Sequence, residues 1–279
     1  MRELSEAATR AQDTRVAVVR EMAARDWDRV ASDYFAEVVS PLEAGIPAPL
    51  LTALDAAARA GARSVADLGC GIGTLLPTLA DRFENVLGVD FSAAMLTRAR
   101  TTCSARNVRL ARGDLADLSR FARCFDAAVT VNAVLTPDSS RLDRIFAGLQ
   151  ACLRPGGVLL GIFPAMEAIL YQGFLIHERE RAVCLPKQAR QRTGRLLERA
   201  KYDFVFGTYR EGKQAQKFFY EFELRHRLRS AGLRRIRVGR ITYPWTHVGG
   251  FERFPDEPPM WDWFVCAERA GDSGSSKGR

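Results

Sequence analysis

The chain has few of the side chains that most often hold metals or staple small folds. It carries only three histidines, His177, His226 and His247, and six cysteines (Cys70, Cys103, Cys124, Cys152, Cys184 and Cys266) that are scattered without a C-x-x-C pair. That spacing indicates neither a zinc site nor a disulfide framework, and most of the cysteines fall in apolar segments, where a buried free thiol is expected. No run of about 18 apolar residues occurs, so no membrane span is expected. The opening residues, Met1 to Glu6, lack the apolar core of a secretory signal, and a cytoplasmic protein is expected. Against these absences stand 279 residues that are 47% hydrophobic and 27% charged, enough for a sizeable core in one or two domains. The net charge of +8 is carried mainly by arginines interspersed with Asp and Glu along the chain. Spread in this way, it does not make a nucleic-acid or membrane footprint.

The most informative stretch is Val65-Ala66-Asp67-Leu68-Gly69-Cys70-Gly71-Ile72-Gly73-Thr74. It reads as a short apolar strand carrying an acid, a loop with glycines at alternate positions, and a helix start. Glycines permit positive φ and close approach of the backbone to a ligand, and a strand-turn-helix with such a loop is a nucleotide-cofactor site. The dinucleotide fingerprint requires G-x-G-x-x-G, and its last position here is Thr74. Asp67 would repel a pyrophosphate and attract an ammonium. Together these argue against a nicotinamide-dependent oxidoreductase. A nucleoside cofactor without phosphates and with a cationic amino-acid end fits better, which describes S-adenosylmethionine.

The following strands agree. Asn85-Val86-Leu87-Gly88-Val89-Asp90 is apolar and ends in an acid roughly 20 residues beyond the loop, placed to accept from a ribose diol. Ser92 is the N-cap of the next helix, and Met95 offers an apolar face to an adenine. Val108 to Arg112 leads into Gly113-Asp114-Leu115, again an acid at a strand's end. Residues 62–163 resemble a class I S-adenosylmethionine-dependent methyltransferase domain, through D-L-G-C-G-I-G-T at 67–74, V-D-F-S-A-A-M-L at 89–96 (which includes Phe91), G-D-L at 113–115 and L-R-P-G-G-V-L-L at 153–160. The resemblance implies that Asp67, Gly69, Cys70, Gly71 and Gly73 form the methionine-side loop and that Asp90 holds the ribose hydroxyls. It further implies that Met95 and Phe91 flank the adenine, and that Gly113, Asp114 and Leu115 form its edge. Asn132, just after the fourth strand, falls near the transferred methyl, and Tyr34 in the leading segment is the candidate aromatic approaching the methyl donor.

The expected fold is α/β: a Rossmann-like, doubly wound sheet of seven strands with the last antiparallel, a helical N-terminal cover and a lid insertion. Residues 1–61 make the cover, with apolar periodicity over 15–39 and a second helix from Pro47 to Ala60. Residues 62–163 make the cofactor-binding core. Residues 219–270 complete the sheet with the helix around Tyr220–Ala231, a strand from Ile236 to Tyr243 and a last strand over 261–267. The Gly- and Ser-rich 271–279 reads as a disordered tail. The insertion at 164–218 is far longer than an ordinary αβ connection. A helix over 180–201, interrupted at Pro186, and a hairpin over 202–220 are expected in it. Ligands in open α/β sheets sit beyond the carboxyl ends of the strands, so this insertion reads as the lid over the acceptor.

Methyl transfer needs alignment and exclusion of water, and a base only when the acceptor enters protonated. His177 and His247 are the candidate bases, with Tyr171 a further one; His226, among arginines on an amphipathic helix, reads as surface. No N/D/S-P-P-Y/F follows the fourth strand, where Val131-Asn132-Ala133-Val134-Leu135 stands instead, and no Pro-Cys nucleophile is present. These absences argue against nucleobase amino and cytosine C5 acceptors, and no RNA-binding domain is visible. A small organic acceptor is the leading reading, without metal or nucleic acid. The alternatives are an RNA or protein methyltransferase using the arginine-rich lid, or an inactive partner protein that keeps the fold.

Overall fold

The computed structural model describes residues 21–33, 40–43, 45–199, 202–211, 214–245 and 254–271. Tyr34, His247 and the tail over 272–279 lie outside the described residues.

The chain opens with helix α1 (Ala24–Val30) and a 3-10 turn (Ala31–Asp33), then α2 (Ala48–Arg59). Strand and helix then alternate: β1 (Ser64–Leu68), α3 (Leu76–Ala80), β2 (Asn85–Asp90), α4 (Ala93–Thr102), β3 (Val108–Arg112), β4 (Phe125–Val131), α5 (Ser139–Ala151) and β5 (Leu153–Pro164). After β5 come two helices, α6 (Met166–Val183) and α7 (Pro186–Arg199), and three short strands, β6 (Tyr202–Asp203), β7 (Thr208–Glu211) and β8 (Gln214–Lys217). Helix α8 (Glu221–Ser230), β9 (Leu233–Tyr243) and β10 (Met260–Arg269) follow.

Seven strands form one sheet in the order β3-β2-β1-β4-β5-β10-β9, and β6, β7 and β8 form a separate small one. β3, β2, β1, β4 and β5 pair in parallel, whereas β10 runs antiparallel to both β5 and β9. This is the expected Rossmann-like α/β sheet with an antiparallel last strand. All five residues of β1 are buried, as a central parallel strand covered on both faces requires. Phe146 of α5, Phe163 of β5 and Phe219 pack on one face, with ring centroids 5.4–6.1 Å apart. Leu50 and Leu54 of α2, with Leu76 and Leu79 of α3, fill the other.

Three details depart from the expected elements. Helix α6 begins at Met166, not near Glu180; its buried residues, Met166, Ala168, Ile169, Gln172, Gly173, Leu175 and Ile176, make one helical face that the surrounding apolar run conceals. Arg154 to Gly157 are looped out of β5, because Phe125 pairs with Leu153 while Ala127 pairs with Val158. The hairpin expected over 202–220 gains β6, which pairs with β7. The insertion is stitched to the sheet at its base: Phe219 N–H donates to Pro164 O (2.7 Å), and Lys217 N–H donates to Leu135 O (2.8 Å) beyond β4. Among the described residues no helix is long and apolar enough to cross a membrane.

Candidate active site

The carboxyl ends of β1, β2, β3 and β4 open onto one cleft, to which each contributes lining residues: Gly69, Asp90, Gly113 and Val131. Its floor is the glycine loop. Gly69 has φ +82°, and a Cβ there would stand 2.2 Å from that of Ala133, so only glycine fits. Gly71 has φ +52°, and a Cβ added there would meet nothing within 4 Å, so its backbone is bare toward the cleft it lines. Gly73 does not line the cleft; it lies close against Ala99 of α4. The loop is fastened to β2: the N–H groups of Gly69 and Cys70 donate to Val89 O at 2.8 and 3.0 Å.

Asp90 organises the next layer. Its carboxylate accepts from Gly71 N–H and from Ser92 N–H, both at 2.9 Å, and so joins the loop to the start of α4. Each oxygen retains a lone pair for a further donor. Ser92 caps α4 as expected, its Oγ accepting from Met95 N–H at 3.1 Å. Burial raises the Asp90 carboxyl above its ordinary range. Asp67, at the end of β1, is buried, and its Oδ2 has no hydrogen-bond partner. Burial, and then the neighbouring Asp90, push its pKa up to about 7. An ammonium brought beside this acid would favour its charged form and lower that value. Burial, Asp67 and Asp90 likewise push the Cys70 thiol up, so it is neutral and unreactive.

Asp67 lies in a second lobe with Cys70, Ile72 and Thr74, while Asp90, Phe91, Met95, Gly113, Asp114 and Leu115 line the first. Gly69, Gly71, Val131 and Asn132 border both. Asn132 adopts φ +44° and donates from Nδ2 to Asp262 Oδ2 at 2.8 Å.

The cover and the insertion close over this cleft. Asp28 of α1 accepts from Ser92 Oγ (2.6 Å) and Ala94 N–H (3.1 Å), and these bonds, Ser92's first, hold its carboxyl below the usual range. Arg98 of α4 donates to Ala31 O and Ser32 O at 2.8 and 2.6 Å. Trp27 and Met22 thereby reach the cleft, and Gln216 Nε2 of β8 meets Met22 Sδ at 3.3 Å. Arg141 of α5 binds both oxygens of Asp114 at 2.8 Å and Glu21 Oε1 at 3.1 Å. Glu21, Arg141, Thr136, Gln216 and Asp262 were not legible as site residues, since no motif surrounds them.

Two of the candidate bases, His177 and Tyr171, lie elsewhere. His177 Nδ1 is 3.3 Å from Thr193 Oγ1, between α6 and α7, and His177 does not line the cleft. The Tyr171 ring packs 5.7 Å from Trp261 and 6.4 Å from Trp245, also outside the cleft lining. Both side chains are built into the packing of α6 rather than brought to the glycine loop.

Residues 65–157 match the family model described as a methyltransferase domain. Trans-aconitate 2-methyltransferase of Deinococcus radiodurans is 45% identical over 105 residues, 36% of this chain and 38% of that protein. An uncharacterized methyltransferase of Mycobacterium tuberculosis is 33% identical over 106 residues, covering 38% of this chain and 53% of its own length. The alignments thus span about half or less of the length of these curated relatives. Among solved structures, 1,6-didemethyltoxoflavin-N1-methyltransferase of Burkholderia thailandensis, with S-adenosylhomocysteine bound, superposes with TM-score 0.56 at 16% identity over 88% of this chain and 87% of that one. A protein solved in work on the conversion of a disulfide bond into a thioacetal group during echinomycin biosynthesis gives TM-score 0.57 at 20% identity over 90% and 94%. Residues 65–157 are thus similar to a methyltransferase domain, and the sheet that carries them has the fold of these solved methyltransferase-like neighbours.

Proposed function

We propose that the protein transfers a methyl group from S-adenosylmethionine to a small organic acceptor. The observation that carries this reading is the pair of buried acids at the glycine loop, Asp67 with an unpartnered oxygen and Asp90 across from it. Such a floor suits a cationic amino-acid end and a ribose, and it would repel a pyrophosphate. Bound S-adenosylmethionine would supply an electrophilic methyl on a sulfonium. In this reading Asp67, Gly69, Cys70 and Gly71 hold the methionine portion and Asp90 the ribose. Phe91 and Met95 flank the base, Gly113, Asp114 and Leu115 border it, and Gly73 sets the loop against α4.

The acceptor is assigned to the space under Trp27, Met22, Leu135 and Ile145, where cover and insertion meet. Catalysis is assigned to alignment and exclusion of water there, not to His177 or Tyr171. A small acceptor is supported by the enclosure of that space, and the Burkholderia thailandensis enzyme of the same fold was solved with 1,6-didemethyltoxoflavin bound.

Calorimetric titration with S-adenosylmethionine, S-adenosylhomocysteine and NAD tests the reading, with Asp90→Ala as control. Micromolar binding of the first two, lost in the variant and absent for NAD, is expected. Absence of binding by either sulfur compound would overturn it, and acceptor screening follows only from the expected result.

A further inference from the structure

Asn132 is held in a way that its place in the cleft does not require. Its backbone sits in the left-handed region, and its N–H donates to Ile162 O at 2.9 Å. Its side chain reaches Asp262 on β10, a residue 130 positions away that is almost wholly buried. Asp262 Oδ1 accepts a second bond, from the Tyr243 hydroxyl at 3.2 Å. Donors therefore converge on both Asp262 oxygens, and a carboxylate so placed is an acceptor only. Its partner at Asn132 must be the amide nitrogen, which fixes the amide against a flip. The other amide atom, Oδ1, is buried and has no hydrogen-bond partner.

The position of that oxygen matters. Asn132 borders both lobes of the cleft, one holding Asp67 and the other Asp90, Met95 and Asp114. In S-adenosylmethionine the sulfonium is the atom that joins the amino-acid half to the nucleoside half. Of the four residues that border both lobes, Gly69, Gly71, Val131 and Asn132, only Asn132 has a polar side chain, so its amide is the side-chain dipole available there to that cation. A carbonyl oxygen there attracts the positive charge carried by the sulfonium and its methyl, and an amide NH2 would repel it.

We propose that Asp262 is a positioning residue that locks the Asn132 amide with its oxygen at the junction of the two lobes, so that the cleft favours the charged sulfonium over the neutral thioether. The proposal rests on the cofactor reading above. It assigns Asp262 a role through Asn132, without contact to the cofactor itself. In Asp262→Asn the facing group offers both a donor and an acceptor, so the Asn132 amide is free to take either orientation.

The test is calorimetric titration of the full chain with S-adenosylmethionine and S-adenosylhomocysteine, comparing the ratio of the two affinities. In Asp262→Asn the preference for the sulfonium is expected to fall about tenfold, the weight of one hydrogen bond or dipole toward a charged group. S-adenosylhomocysteine should bind within about twofold of the wild type. Asn132→Ala should lose the same preference. The exchange Asn132→Asp with Asp262→Asn keeps a donor–carboxylate bond and returns an acceptor oxygen to position 132, so the preference should be restored. If Asp262→Asn fails to fold, the exchanged pair and Asn132→Ala are compared directly, and an exchanged pair without the preference overturns the proposal. Equal weakening of both ligands, or an unchanged ratio, also overturns it and leaves the cofactor reading standing. A wild type that binds neither ligand instead overturns the cofactor reading on which it rests.

Discussion

Asp67→Asn separates the two consequences of burying an acid under the glycine loop. The folded protein holds the Asp67 proton up to about pH 7, whereas an unfolded chain releases it near the ordinary carboxyl value of 3.8. Between these values the native state binds more protons than the unfolded state, so stability falls as pH rises and the loss is complete above about pH 7. The interval is about three pH units, and at about 1.4 kcal/mol per unit it amounts to about 4 kcal/mol. Asparagine has the same shape and no charge to desolvate. The variant should therefore match the wild type near pH 4 and exceed its stability by up to about 4 kcal/mol at pH 8. Urea denaturation of the ligand-free protein across pH 4–8 measures this. The same substitution should weaken S-adenosylmethionine binding by about tenfold to a hundredfold, because the ammonium loses its carboxylate. In the wild type, affinity should rise with pH up to about 7, with one proton released on binding at lower pH, seen as a buffer-dependent heat. A variant that is no more stable at pH 8, or that binds the cofactor as well as the wild type, would refute the reasoning.

Three further outcomes follow from the geometry. Gly69→Ala forces a Cβ to within 2.2 Å of Ala133 at φ +82°, so a loss of about 2–3 kcal/mol in thermal unfolding and of cofactor binding in titration is expected. Asp90→Ala removes the acceptor for Gly71 and Ser92 N–H, so the Gly71 amide should exchange hydrogen faster by mass spectrometry and cofactor affinity should fall at least about a hundredfold. Arg98→Ala frees the carbonyls of Ala31 and Ser32; faster exchange over 24–33 and quicker cofactor release in stopped-flow are expected, with global unfolding changed by less than about 1 kcal/mol.

The glycine-loop half of the cleft is legible in the sequence because its groups are local. Asp67, Gly69 and Gly71 fall within one strand-turn-helix, and Asp90 caps the very next strand, so spacing alone brings them together. The boundaries of β2 and β4 are legible because both are inner strands of the sheet and largely buried, so an apolar run marks each of them. The insertion was read less well. The buried stripe of α6 is embedded in a run that is apolar on most sides, so no start signal separates it from β5. His177 looked like a base by residue type, yet type does not reveal which neighbour a helical side chain meets, and Thr193 of α7 is that neighbour.

The rest of the cleft differs in kind. Arg141 meets Asp114 across 27 positions, Gln216 meets Met22 across 194, and Asp262 meets Asn132 across 130. Each contact depends on the order of strands in the sheet or on the docking of cover and insertion, and none has a local signature. β10 lies beside β5 only because the last strand inserts antiparallel between β5 and β9, and that insertion carries Asp262 to the carboxyl edge where Asn132 ends β4. A glycine loop with its flanking acids can therefore be written in consecutive residues. The walls around Trp27, Leu135, Ile145 and Gln216 are set by topology, so under the proposed function an acceptor is better sought from the shape they enclose than from any motif in the chain.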